Sequence, residues 1–184
     1  MQNTFTRPGW IPRVESGKRI LITGATGGLG RAIVAMLMDG SDCIIGAHGA
    51  SQSIDIDDDR IISLKCTFKG QKECRALVNE FVEKAGGIDA LVVLSGSIKF
   101  TGHWKNISGS DWDREIGVNL NHPFFLSQAA MTHMKKQNTS GRIVLTGTES
   151  AIHGGSAVSF PYAVAKRGTE CMVQGLAREG APDN

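Results

Sequence analysis

The stretch from Lys18 to Gly30, Lys-Arg-Ile-Leu-Ile-Thr-Gly-Ala-Thr-Gly-Gly-Leu-Gly, constrains this chain more than any other. Ile20, Leu21 and Ile22 form a short apolar run of the kind a buried parallel strand shows. A glycine-rich turn follows, and Arg31 to Met38 continue with helical spacing. Strand, glycine turn and helix together make a cradle for phosphate. Glycine permits φ > 0 and lets a backbone approach a pyrophosphate with no Cβ in the way. A helix starting near Gly28 aims free N–H groups and its positive dipole end at that anion. A simple turn in an α/β sheet would share the glycines, but the flanking strand and helix favour a dinucleotide site.

With 184 residues the chain is long enough for one domain with a real core. A net charge of +2 and the lack of a basic run argue against a nucleic-acid surface. No apolar stretch approaches the roughly 20 residues of a membrane helix. Met1 to Ser16 is polar and lacks the apolar core of a signal peptide. Cys43, Cys66, Cys74 and Cys171 form no C-x-x-C pair and have no histidine at ligand spacing. No metal is expected, and idle thiols in a reducing cytoplasm are.

The rest of the chain alternates. Met1 to Gly17, with Pro8, Gly9 and Pro12, reads as an extended arm whose Trp10 and Ile11 pack on the body or on a second subunit. Gly28 to Met38 is a helix with Ile33, Val34 and Leu37 toward a sheet. Strands are predicted at Cys43–Ala47, Ile61–Cys66, Ile88–Leu94 and Arg142–Thr146. Gly49 to Arg60, with its aspartates, is a solvated loop, and Gln71 to Lys84 a well-patterned helix. Ser110 or Asp111 is expected to cap a helix that continues past Pro123 to Lys136. Thr148 to Pro161 is a loop and Tyr162 to Arg178 the last helix. This alternation predicts an α/β chain, a three-layer αβα doubly wound parallel sheet in one domain from 18 to 184.

Several segments carry chemistry. Thr23-Gly24-Ala-Thr26-Gly27-Gly28-Leu29-Gly30 is followed by Asp111-Trp112-Asp113, Val118-Asn119-Leu120, Gly141-Arg-Ile-Val144 and Tyr162-Ala-Val-Ala-Lys166. In this order and spacing they resemble the short-chain dehydrogenase/reductase family, in its single-domain 3-oxoacyl-reductase-like branch, over nearly all the chain from Lys18. The resemblance implies a Rossmann fold, a nicotinamide cofactor and hydride transfer between the cofactor and a carbonyl or secondary alcohol. A tyrosine alone, with a pKa of about 10, is a poor acid–base catalyst at neutral pH. Lys166, one helical turn on, shares a face with Tyr162, and its charge favours the tyrosinate. By resemblance Lys166 also holds the nicotinamide ribose, and Asn119 positions a water that relays protons. Thr148 aligns with the family's carbonyl-polarising serine, Ser150 being the alternative.

Other positions depart from the family pattern. Val93-Leu94-Ser95-Gly96 replaces its Asn-Asn-Ala-Gly. Gly96 keeps the space beside the cofactor, but the stabilising asparagines are gone. Thr67 replaces the adenine-side aspartate. The second strand ends Gly46-Ala47-His48-Gly49, with no acid to select NAD through the ribose 2′-hydroxyl, which leans the choice to NADP. His48 is either a phosphate contact or an exposed loop histidine. Gly24, Gly28 and Gly30 give the spacing of the single-domain reductases. Gly24, Gly27 and Gly30 give that of larger nucleotide-sugar enzymes, a further alternative. Family members run on from the last helix into further strands. A chain ending at Asn184 is expected to lack them, to leave a sheet edge open and to lose most of its substrate pocket. A non-catalytic dinucleotide- or partner-binding domain is the competing reading. Expected partners are a small-molecule substrate and a second copy, as homodimer or homotetramer, through helices 111–136 and 162–178.

Overall fold

The computed structural model describes residues 13–54, 56–100 and 102–183. Strands are β1 Arg19–Thr23, β2 Ile44–Gly49, β3 Ile61–Lys65, β4 Ala90–Val93 and β5 Arg142–Leu145. Helices are α1 Gly28–Gly40, α2 Gln71–Ala85, α3 Gly109–Ile116, α4 His122–Gln137, the short α5 Ser150–His153 and α6 Phe160–Gly180. The strands form one parallel sheet in the order β3-β2-β1-β4-β5. This is the predicted doubly wound arrangement. The chain reverses direction across the sheet between β1 and β4, where Thr23 lies level with Val93 on one side and His48 on the other. A crevice outside the strand ends at such a reversal is where ligands of open α/β sheets bind.

Side-chain alternation gives each face its own core. Leu21, Leu64 and Leu91 pack with Leu77, Phe81 and Leu126 beneath α2 and α4. Ile20, Ile22, Ile45 and Ala47 pack with Val34 beneath α1. Each of the larger side chains contributes about 1.5–3 kcal/mol by leaving water. Gly46 is required inside β2 because a Cβ there would stand 2.5 Å from the Phe81 ring. Val14 joins the α1 side, and its N–H donates to Ser41 Oγ at 2.8 Å. The expected packing of Trp10 and Ile11 lies outside the described residues.

Several boundaries move. β2 runs on through His48 and Gly49 because Ala25 N–H bonds His48 O and Cys66 N–H bonds Gly49 O, while Cys43 falls before the strand. The loop expected over 148–161 contains α5, and α6 begins at Phe160 rather than Tyr162. The expected helix from Asp111 to Lys136 is two helices. Ser108, not Ser110 or Asp111, caps the first, in a reciprocal box with Asp111. A π-helical turn, Gly117–Asn121, joins α3 to α4. Among the described residues β5 forms an edge. Val144 is 51% exposed there, and a cavity of about 280 Å³ lies between β5, α4 and α6. No helix among the described residues is long and apolar enough to cross a membrane.

Arg19 ties the start of β1 to the turn before β4. Its Nε and one terminal nitrogen donate to Asp89 Oδ2 and Oδ1 at 2.7 and 2.9 Å, and its backbone N–H donates to Oδ2 at 2.9 Å. The Arg19 side-chain bonds hold the Asp89 carboxyl below its ordinary range. A depressed folded pKa contributes stability that is complete above the unfolded value, about 3.9, and is lost as pH falls through the folded value. Asp89→Ala is expected to cost about 2–4 kcal/mol in urea unfolding at neutral pH, since it leaves Arg19 with a lost partner. Below about pH 4 the difference between the variant and the parent should shrink.

Candidate active site

The glycine turn divides into positions closed by sterics and positions left open. Gly24 has φ +75°, and a Cβ on it would stand 2.8 Å from Ser95 N. A Cβ on Gly30 would lie 2.6 Å from Ala25 Cα and still closer to Gly24 O. Gly28 meets nothing within 4 Å. Gly27 caps α1 with no side-chain hydrogen bond, so the first N–H groups of the helix lack a side-chain acceptor. Gly27, Gly28 and Leu29 are exposed, Leu29 by 61%. A pyrophosphate fits beside Gly28, where a Cβ would meet open space and a helix N-terminus stands behind. Thr26 closes one side, its Cγ2 standing 2.5 Å from where a Gly49 Cβ would be.

Ser95 follows β4 and meets the turn, its hydroxyl 2.8 Å from Thr23 Oγ1. Gly96 comes next. A Cβ on Gly96 would lie 3.0 Å from Asn119 Oδ1 and 3.7 Å from Lys166 Nζ, so these three positions converge. Asn119 is fully buried in the π-turn. Pro123 explains its setting, because proline has no N–H to give the Asn119 carbonyl four residues back. Thr169 Oγ1 of α6 stands 3.3 Å from that carbonyl and 3.2 Å from Ala165 O, its one hydrogen shared between the two acceptors. The Asn119 amide accepts from Ser97 N–H at 3.1 Å and donates to Ser97 O at 2.8 Å. It also donates to Glu115 Oε2 at 3.3 Å. The bonds from Asn119 and Glu115 hold the loop after β4 through Ser97, Lys99 and Phe100.

Tyr162 and Lys166 lie one turn apart on α6, with Lys166 Nζ 5.8 Å from the Tyr162 ring centroid. Lys166 is only 3% exposed and donates to Thr146 O at 2.9 Å and Thr146 Oγ1 at 3.2 Å. Burial pushes its ammonium below its usual pKa. Thr148 follows β5, and its Oγ1 accepts from Ser150 N–H at 3.4 Å, which places Ser150 at the start of α5. Thr67 is exposed, and its hydroxyl donates to Ala50 O at 3.3 Å beside the end of β2.

His48 departs from expectation. It is not an exposed loop residue but a strand residue 2% exposed, stacked on Phe68 at 4.7 Å and bonded through Nε2 to Cys66 O at 2.8 Å. Desolvation lowers its pKa, so it is a neutral core imidazole and not a cation for a phosphate. Sequence reasoning missed Glu115, Thr146 and Thr169. Glu115 stands one helical turn before Asn119, and Thr169 lies three residues beyond Lys166. Those spacings are the signals that could have found Glu115 and Thr169, whereas Thr146, just past β5 and 20 residues from Lys166, carries none.

Residues 18–184 match the short chain dehydrogenase family. The chain is 31% identical over 179 residues to D-xylose 1-dehydrogenase of Caulobacter vibrioides, covering 91% of this chain and 68% of that protein. It is 26% identical over 172 residues to glucose 1-dehydrogenase 2 of Bacillus subtilis, covering 88% of this chain and 66% of that one. The structure is similar, with a TM-score of 0.78 and 25% identity, to the NADH-dependent reductase A1-R' complexed with NAD. That match covers 91% of this chain and 74% of the other.

Proposed function

The chain belongs to the short chain dehydrogenase family and is an NAD(P)-dependent oxidoreductase; on that footing we propose which residues carry the transfer and what they act on. Tyr162 gives a proton to the substrate oxygen on reduction and takes it back on oxidation. Lys166, whose Nζ stands 5.8 Å from the Tyr162 ring centroid, would hold the nicotinamide ribose hydroxyls. Thr148 polarises the carbonyl, with Ser150 in second place. When bound, the nicotinamide supplies or accepts the hydride. Thr23, Gly24, Thr26, Gly27, Gly28, Leu29 and Gly30 would hold the pyrophosphate side, with Ser95, Gly96 and Thr67 along the rest of the cofactor. The space beside Gly96, facing both Asn119 Oδ1 and Lys166 Nζ, supports a relay water between them. The meeting of Asn119, Lys166 and Tyr162 is the observation that carries this reading. It also weighs against a non-catalytic domain.

NADP is the preferred carrier in this proposal. No carboxylate ends β2. Arg31, whose Nε donates to Thr26 O at 3.0 Å on the glycine turn, is the cation proposed to meet the 2′-phosphate. The NADH-dependent structural neighbour is the opposing precedent. For substrate we propose an aldose or another cyclic alcohol. A groove of about 680 Å³ beside the start of α6 is lined by Trp104, Ile107, Trp112 and Phe160, with Ser156 and His153 as polar groups. Flat aromatic faces at the rim of a pocket suit the C–H face of a ring, and two relatives are sugar 1-dehydrogenases by name. A second copy is proposed to pack on α4 and α6, where Phe124, Phe160, Val164 and Val173 are exposed. Four free thiols fit the cytoplasm as its place.

The test is turnover. D-xylose, D-glucose and a ketone panel are presented with NAD(H) and NADP(H) while nicotinamide absorbance is followed. Reduction of NADP by one sugar, with NADP binding more tightly than NAD, is the expected result. Tight cofactor binding without turnover of any substrate would remove the catalytic assignment.

A further inference from the structure

Glu115 lies on α3 and is 1% exposed, yet no cation pairs with its carboxylate in the hydrogen bonds and ion pairs of the described residues. A buried carboxylate in that position must be hydrogen-bonded or it costs the fold dearly. Its partners are all N–H donors. Oε1 accepts from the backbone N–H of Lys99 at 2.7 Å and of Phe100 at 2.9 Å. Oε2 accepts from Asn119 Nδ2 at 3.3 Å, and the Glu115 backbone carbonyl accepts from the same nitrogen at 3.1 Å. An ionised carboxylate accepts only, and this surrounding suits it.

Two consequences follow. The carboxylate and the Asn119 amide together pin the segment 97–100 onto the α3 end, through Ser97, Lys99 and Phe100. Gly96, directly before that segment, faces Asn119 Oδ1 and Lys166 Nζ. The carboxylate is one of three acceptors that set which way the Asn119 amide points: Nδ2 lies 2.8 Å from Ser97 O, 3.1 Å from the Glu115 backbone carbonyl and 3.3 Å from Oε2. Oδ1 is thereby turned toward Ser97 N–H and the space at Gly96, and the carboxylate also acts through segment 97–100, which carries Ser97.

Resting on the proposed function above, we propose that Glu115 is a positioning residue of the reaction. With the Ser97 backbone, whose segment it pins, it orients the Asn119 amide so that an acceptor, not a donor, faces the Lys166 side of the site. Glu115→Gln tests this selectively. One oxygen of the new amide can still accept from Lys99 and Phe100. Its NH₂ then faces Asn119 Nδ2 donor against donor, so the Asn119 amide loses one of its three acceptors and is held by Ser97 O and the Glu115 carbonyl against a repelling neighbour.

The experiment compares the parent, Glu115→Gln, Asn119→Ala and the double variant, with D-xylose and NADP or whichever pair the parent turns over. Hydrogen exchange at Lys99 and Phe100 in the parent accompanies it. The expected result is slow exchange at both amides and a kcat about tenfold lower in Glu115→Gln. Cofactor Kd should stay within about twofold, and the Asn119→Ala background should show no further loss. The proposal is overturned if Glu115→Gln turns over like the parent, if it loses as much in the Asn119→Ala background, or if the two parent amides exchange like an open loop. If Glu115→Gln fails to fold, the parent exchange at Lys99 and Phe100 and the Asn119→Ala kinetics still decide. A parent inactive on every substrate removes the function above and the catalytic part of this proposal together. Shifted Asn119 side-chain resonances in Glu115→Gln would then still decide the orienting contact.

Discussion

Tyr162→Phe is expected to lower kcat by about 10²–10⁴-fold while leaving cofactor affinity within about twofold. The substitution removes one oxygen and keeps the ring that Lys166 approaches at 5.8 Å. Ala163, Ala165 and Lys166 around it are buried on α6, so the helix has its own reason to stay in place. The lost group is the proton donor and acceptor, with no change expected in the pyrophosphate cradle on the other side of the crevice. Steady-state kinetics and cofactor titration on the same preparation check both halves. An equal fall in activity and in cofactor binding would place Tyr162 in the cofactor's grip and away from the chemistry.

Gly30→Val is expected to be the most damaging substitution in the glycine turn, and Gly28→Ala its opposite. A Cβ on Gly30 would meet the backbone of Gly24 and Ala25, and backbone cannot move aside as a flexible side chain can. Overpacking of that kind costs about 1–3 kcal/mol, and the larger side chain brings the protein toward the upper end or to failure to fold. Gly28 meets open space, so Gly28→Ala should hold its unfolding midpoint and lose affinity for the cofactor about tenfold as its methyl enters the phosphate concavity. Thermal unfolding paired with cofactor titration separates the two. A Gly28→Ala variant that binds as the parent does would move the pyrophosphate off this turn.

Legibility followed the range of the interactions. The run Ile20–Ile22, the helix Gln71–Ala85 and the strand–helix alternation are local patterns, and the sheet order follows from them with little freedom. Tyr162 and Lys166 were readable because one helical turn joins them. His48 is not legible locally, because neither its burial nor its partner, Cys66 O just past β3, can be seen from its neighbours in sequence. The helical pattern continues past Pro123, and only the folded chain shows the π-turn at Gly117–Asn121 with Thr169 of α6 beside the Asn119 carbonyl that proline cannot serve.

By itself the sequence determined the class of fold, the glycine turn after β1 and the placing of Tyr162 and Lys166 on one helix face, because each is written within a few consecutive residues. The tertiary structure alone decided which glycines are obligatory. Gly24 and Gly30 face backbone from elsewhere in the turn or sheet, whereas Gly28 faces open space. It alone brought Glu115, Asn119 and the segment 97–100 together. Those contacts join β4's loop to a later helix, and no local pattern records a hydrogen bond between segments that only the folded sheet places side by side.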